Sequence, residues 1–278
     1  MRINLIGAGR LGQTLGRLLA QQGHVIGEVL TRSSASAQAA VAFVGQGTAV
    51  ATLTAMRDAD LWLLAVPDTE IASSAQALAQ HAGVQASVAC HGSGAYSSAL
   101  LAPLQQQGWQ TASAHCLLSF AQPALAIDQF KGVVCALEGQ ESARHTLREL
   151  MHSLGAQCFD IAEQDKLTYH AAAVWATNFL PVLQHTAEQL WQQAGMPEPM
   201  VAALRTRLLS LAMNNVLALG PQGALTGPAS RGDSRLVQAQ THLLTQLDPN
   251  IGEAYRALSQ LAAGMAGQTL NLSPPNAE

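Results

Sequence analysis

Residues 165–178 read DKLTYHAAAVWATN, setting a lysine, a histidine and an asparagine along an alanine-rich helical pattern. At about 100° per residue, Thr177 falls about 20°, His170 about 40° and Asn178 about 120° from Lys166. The polar groups therefore share one stripe. An imidazole titrates near neutral pH and suits acid/base work, an ammonium offers a proton or a fixed charge, and a carboxamide orients a substrate atom. Ala171, Ala172 and Ala173 leave room beside them for another molecule or another helix. Each group also has a plain structural reading, as a solvated first-turn lysine or an asparagine bonded to neighbouring backbone.

Two further histidines stand at the ends of short apolar runs. CHGSGA at 90–95 carries His91 and Ser93, and AHC at 114–116 carries His115. Successive strand ends rim the ligand crevice of an open parallel sheet, so this placement points to a polar reaction pocket. A third candidate is ALTGPASRGD at 224–233, in which Arg231 could clamp a carboxylate through its two-pronged guanidinium and Ser230 could cap a helix. Asn215 lies in an apolar helix and is an equal candidate for the crevice or for interhelical bonding.

What these groups would act beside is given by GAGRLG at 7–12, between a strand and a helix. Gly7 permits the tight turn, Gly9 lets backbone approach a pyrophosphate, and Gly12 lets helix and strand pack closely; Ala8, Arg10 and Leu11 complete the loop. The helix N-terminus then presents free N–H groups to the phosphates. At the end of the second strand, Glu28 falls too early to reach a ribose, whereas Thr31, Arg32, Ser33 and Ser34 offer a guanidinium and hydroxyls suited to a 2′-phosphate. NADP is therefore expected ahead of NAD. Ala65, Val66 and Pro67 match the loop beneath the nicotinamide-proximal ribose, with His91 at the next strand end.

The positioning elements follow from periodicity. Strands are expected at 2–6, 25–31, 49–52, 61–65, 86–90, 110–114, 133–138 and 157–160, alternating with helices at 11–21, 35–43, 68–81, 97–106 and 141–154. That alternation implies a mostly parallel α/β sheet covered on both faces, a Rossmann dinucleotide-binding domain over 1–160. From 161 to 270 only helical patterns appear, at 164–193, 197–219, 230–246 and 250–268, broken by Pro/Gly clusters. They form an all-α substrate and dimerisation domain, and 271–278 reads as a frayed tail.

Composition narrows the function further. Charged residues make up 12% of the 278 and the net charge is −4, without the basic stripe that nucleic acid requires. No run approaches a membrane span, and the N-terminus lacks a signal-peptide core. The four cysteines show no paired spacing and read as buried small hydrophobes in a reducing, cytoplasmic compartment. No clustered Cys/His set or HExxH pattern argues for a metal, and no Walker A pattern argues for phosphoryl transfer.

CHGSGA at 90–95, AHCLLSF at 114–120, YHAAAVWATNFL at 169–180 and ALTGPASRGD at 224–233 together resemble the Rossmann-like oxidoreductases whose second domain is the helical domain of unknown function DUF2520. More distantly the chain is similar to pyrroline-5-carboxylate reductases, ketopantoate reductases and β-hydroxyacid dehydrogenases. The resemblance implies a helical domain like the C-terminal domain of 6-phosphogluconate dehydrogenase-like proteins, NADP-linked hydride transfer to a small carbonyl, imine or hydroxy acid, and homodimers held by that domain. In those dehydrogenases a helical lysine is followed one turn later by an asparagine. Lys166 matches the lysine, but His170 stands one turn on and Asn178 lies farther along. The expected acid/base is His170, with Lys166 second; His115, His91 and Ser93 position the reacting atom, Asn178 holds it, and Arg231 binds a carboxylate. The rival is a non-catalytic NADP-binding sensor or interaction protein, in which these groups would not converge.

Overall fold

The computed structural model describes residues 1–81 and 83–272; the expectation of a frayed tail falls largely on 273–278, outside them. The chain divides into two compact units, Met1–Asn178 and Phe179–Glu278.

The first unit is built on eight strands: β1 (Arg2–Ile6), β2 (Val25–Leu30), β3 (Thr48–Val50), β4 (Leu61–Leu64), β5 (Val88–His91), β6 (Gln110–Cys116), β7 (Val134–Gly139) and β8 (Gln157–Asp160). They form one sheet in the order β3-β2-β1-β4-β5-β6-β7-β8. Every neighbouring pair is parallel except β6 and β7, which run antiparallel with Ser113 opposite Glu138 and Cys116 opposite Cys135. Seven helices accompany the sheet: α1 (Arg10–Gln21), α2 (Ser34–Val44), α3 (Ile71–Ala79), α4 (Ala102–Gln105), α5 (Pro123–Gln129), α6 (Glu141–Ser153) and α7 (Lys166–Ala173).

Alternation along the strands sorts the core into two layers, because successive side chains point to opposite faces. Ile3, Leu5, Leu61 and Leu63 pack with Leu15, Leu19, Val44 and Leu147 of α1, α2 and α6. Ile6, Trp62 and Leu64 pack with Ile71, Leu78 and Leu104 of α3 and α4. Trp62 and Trp109 meet edge to face at 5.9 Å between ring centroids. Buried Glu28 is held by Arg2 and Arg57, each at 2.8 Å, so it braces the sheet.

Sequence and structure differ in several places, and the helix expected over 97–106 is a 3-10 turn at Ser98–Leu101 followed by the single turn of α4. Helix α5 lies in a stretch to which the sequence reading gives no element; Pro123 in its first turn starts it without needing an N–H donor. The helix expected over 164–193 is broken by a π-helical turn at Val174–Asn178 between α7 and α8 (Phe179–Gln193). A π turn takes one more residue per hydrogen bond than an α turn, so the uniform 100° wheel fails beyond Ala173. Finally, the compact sheet unit runs to Asn178. The hydrogen bonds of Lys166 and Tyr169 to Ser113 and His115 tie α7 to the sheet, which places the division later than a boundary at 160.

The second unit is helical: α8, α9 (Glu198–Ala224), α10 (Ser234–Leu247) and α11 (Pro249–Met265). Helix α9 kinks at Gly220, whose φ of 71° with Pro221 beside it breaks regular geometry. Helices α10 and α11 form a close hairpin, since a Cβ on Gly252 would come within 2.8 Å of Thr245 backbone. Asp233, not Ser230, caps α10 by accepting from Leu236 N; the Ser230 hydroxyl donates to the Gly227 carbonyl instead. Helix α8 buries no residue and α9 buries only Val201. No helix among the described residues is long and apolar enough to cross a membrane.

Candidate functional site

The glycine turn after β1 has the geometry its sequence calls for. Gly7 has φ 84°, and a Cβ there would lie 2.6 Å from the Ala65 backbone. A Cβ on Gly12 would meet the Gly7 carbonyl at 2.8 Å and the Ala65 side chain at 3.1 Å, which is the close helix–strand packing expected of the third glycine. Gly9 caps α1 and faces open space, leaving its backbone free for a ligand to approach. Beyond β2, Arg32, Ser33 and Ser34 are exposed. Thr31 Oγ1 lies 2.5 Å from Ser36 Oγ, and Ser33 accepts from Ser36 N as the cap of α2. A free guanidinium thus stands beside a hydroxyl-rich helix N-terminus. These residues fit an NADP adenosine 2′-phosphate and a pyrophosphate.

Alongside Arg10 of that turn opens a pocket of about 880 Å³, lined by His115, the 117–121 loop, Tyr169, His170 and the π turn as far as Asn178. Three of the expected site residues, His115, His170 and Asn178, therefore share one cavity with a residue of the glycine motif. His115 Nδ1 lies 2.9 Å from the Tyr169 hydroxyl. The His115 ring meets the His170 ring edge to face, centroids 5.7 Å apart. Both rings press on Gly94: a Cβ there would stand 2.6 Å from His170 Nδ1 and 2.8 Å from His115 Nε2. His170 Nδ1 is buried without a protein partner among the described residues. Thr177 Oγ1 lies 2.9 Å from both the Ala173 carbonyl one turn back and Asn178 Oδ1, and its single hydrogen is shared between these two acceptors.

Electrostatics separate the histidines by task. Burial, aided by His170 and Lys166, pushes His115 down to about 4, so it is neutral at pH 7. Burial likewise pushes His91 down to about 4. His91 has both ring nitrogens engaged, one on the Ser97 carbonyl at 3.0 Å and the other on Ser93 N at 3.1 Å. His91 thus shapes the 92–97 loop and has no nitrogen left for a substrate proton, which corrects its expected place beside the reacting atom. Ser93 braces the same loop, its hydroxyl accepting from Tyr96 N and its carbonyl from Lys166. Lys166 is not the solvated lysine of the plain reading: it is 1% exposed, with Nζ on Ser93 O at 3.2 Å and Ser113 Oγ at 2.9 Å.

Arg231 sits exposed in a short 3-10 turn, Ala229–Arg231, of the helical unit. Asn215 is an exposed residue of α9. The sequence reading missed three residues. Tyr169, whose phenol burial pushes up, is three positions beyond Lys166 and about 60° from it on the helix, so the helical spacing could have found it. Ser113 and Glu138 are buried polar positions inside apolar strands, and that break in the pattern is their sequence signal. Among the described residues no group of three or more His, Cys, Asp or Glu could hold a metal ion.

Residues 1–116 match the family model described as a Rossmann-like domain, and 133–262 match the domain of unknown function DUF2520. No curated protein matches the chain. Among solved structures, a protein of Bacteroides fragilis with a provisional assignment as an NADP oxidoreductase aligns at TM-score 0.77 and 22% identity, over 95% of this chain and 98% of its own. Protein TM1727 from Thermotoga maritima aligns at 0.71 and 25%, over 95% and 98%. A 1-pyrroline-5-carboxylate reductase from Streptococcus pyogenes aligns at 0.61 and 16%, over 95% and 98%.

Proposed function

We propose that this chain, in which a Rossmann-like domain is joined to a DUF2520 domain, is an NADP-dependent oxidoreductase acting on a small carbonyl, imine or hydroxy acid. The observation that carries the reading is the shared cavity, in which His115, Tyr169, His170 and Asn178 converge beside Arg10 of the glycine turn. NADP, when bound, supplies the hydride chemistry at its nicotinamide. The chain's own part is to orient the reacting carbon and to move one proton. His170 is the acid/base: its imidazolium gives a proton in the reductive direction and its neutral imidazole takes one in the reverse. Neutral His115 and Tyr169 form a hydrogen-bonded pair that orients the substrate oxygen or nitrogen, and the Asn178 carboxamide holds it. In the helical unit, Arg231 is a candidate for binding a carboxylate.

Three finer features complete the proposal. Arg32 with Thr31, Ser33 and Ser34 selects NADP over NAD. The helical unit is of the 6-phosphogluconate dehydrogenase C-terminal kind and pairs two chains; the bare apolar faces of α8 and α9 support this, with Leu217 78% exposed. The working compartment is the cytoplasm. The test is a panel of keto acids, hydroxy acids and cyclic imines followed at the nicotinamide absorbance with NADP(H) and NAD(H). Turnover with NADP(H), lost in His170→Ala, is expected. Tight cofactor binding without turnover of any member overturns the enzymatic reading in favour of a sensor, and full activity in His170→Ala removes the assigned acid/base.

A further inference from the structure

Lys166 is a buried ammonium group without a carboxylate in ion-pair distance among the described residues. Burial lowers its proton affinity, and the opposing influences are Glu138 and Asp68. Its link to Glu138 runs through one hydroxyl. Ser113 Oγ accepts from Lys166 Nζ at 2.9 Å and donates to Glu138 Oε2 at 2.9 Å. A serine has one hydroxyl hydrogen, and an ammonium can only donate, so the direction of this string is fixed from lysine to carboxylate. Glu138 accepts twice more, from Ser98 N at 2.7 Å and Ser98 Oγ at 2.9 Å. All three contacts are donors, the set an ionised carboxylate takes. The far side of Glu138 lines a separate polar cavity of about 570 Å³ with Arg144, Asp160 and Glu163, where the string meets solvent.

We propose that Glu138, acting through Ser113, is a positioning residue that keeps Lys166 charged and fixed beside the reaction pocket. Lys166 also holds the Ser93 carbonyl, and the next residue, Gly94, is the one on which the His115 and His170 rings rest. The lysine charge is one of the influences that keep His115 unprotonated. The titratable groups facing it are Glu138 and Cys135 on β7, Asp68 after β4, His91 on β5 and His115 on β6, with His170 one turn along α7. Of these, only Glu138 is joined to it by a hydrogen-bonded string. The inference deepens the oxidoreductase reading and rests on it for its kinetic arm alone.

The chain has two lysines, Lys131 and Lys166, so lysine labelled at Cε with carbon-13 gives two resonances, assigned with Lys131→Arg. Their titrations are compared in the unaltered protein, Glu138→Gln, Ser113→Ala and Ser113→Thr. The Lys166 midpoint is expected to fall in Glu138→Gln and Ser113→Ala and to return in Ser113→Thr, which restores the hydroxyl, while Lys131 stays put. With a turned-over substrate, kcat/KM of Glu138→Gln is expected to drop about tenfold at pH 9 with little change at pH 7, as an ammonium ion is lost. A Lys166 midpoint unmoved in both Glu138→Gln and Ser113→Ala overturns the proposal. A shifted midpoint in a protein that turns over no substrate supports the string and sinks only the oxidoreductase reading.

Discussion

Gly94 is the residue on which the candidate chemistry turns. A β-carbon there would stand under 3 Å from both imidazoles, so any side chain displaces at least one ring. Gly94→Ala is expected to lower kcat about 100-fold, the scale of a misplacement near 1 Å, with NADP(H) affinity unchanged in a fluorescence titration. Equal loss of cofactor affinity would mean that the loop is damaged as a whole. His91 gives a pH-dependent expectation of a different kind. It is fully buried, and burial sets its pKa in the fold at about 4 against an ordinary 6.5. The unfolded chain therefore binds the extra proton first, and the stability His91 contributes, complete above pH 6.5, is lost as the pH falls toward 4. The loss is about 3 kcal/mol. Urea unfolding of the native protein and of His91→Asn at pH 7.5 and pH 4.5 should show a steeper acid loss in the native protein; parallel losses would clear His91 of that role.

At the scale of elements, the choice of cofactor is proposed to lie with the turn between β2 and α2. Arg32→Ala is expected to weaken NADPH binding about 10-fold, the loss of roughly one charge-assisted contact, and to leave NADH untouched. Equal effects on both would move the 2′-phosphate elsewhere. That turn was legible in the sequence because its logic is local: a strand of β-branched residues, then hydroxyls and an arginine at a helix start. The glycine motif was legible for the same reason, and β1 and β8 fall on the residues expected. The 165–178 stretch was half legible. His170 and Asn178 line the pocket, yet the π turn that aims Asn178 has no signature in residue type. The helix position of Lys166 says nothing of its hydrogen bonds, which reach Ser113 and through it Glu138, distant in sequence and adjacent only when β6 and β7 pair.

For the whole molecule, the open question is what covers α8 and α9. Val182, Leu211 and Leu217 lie bare, and patches of this kind on a folded chain mark interfaces. Light scattering on the native protein should give twice the chain mass, and Leu211→Glu with Leu217→Glu should give the monomer. A native monomer would assign the face to something other than a second copy. The reversal between β6 and β7 also bears on how the chain can be divided. The Rossmann-like match ends at residue 116, the last residue of β6, and the next match begins at 133, just before β7. A fragment cut between them would carry β6 as an unpaired flank, its backbone donors and acceptors open to any other strand. Such edges template intermolecular pairing, so the isolated nucleotide-binding stretch should clump unless β7 and β8 travel with it.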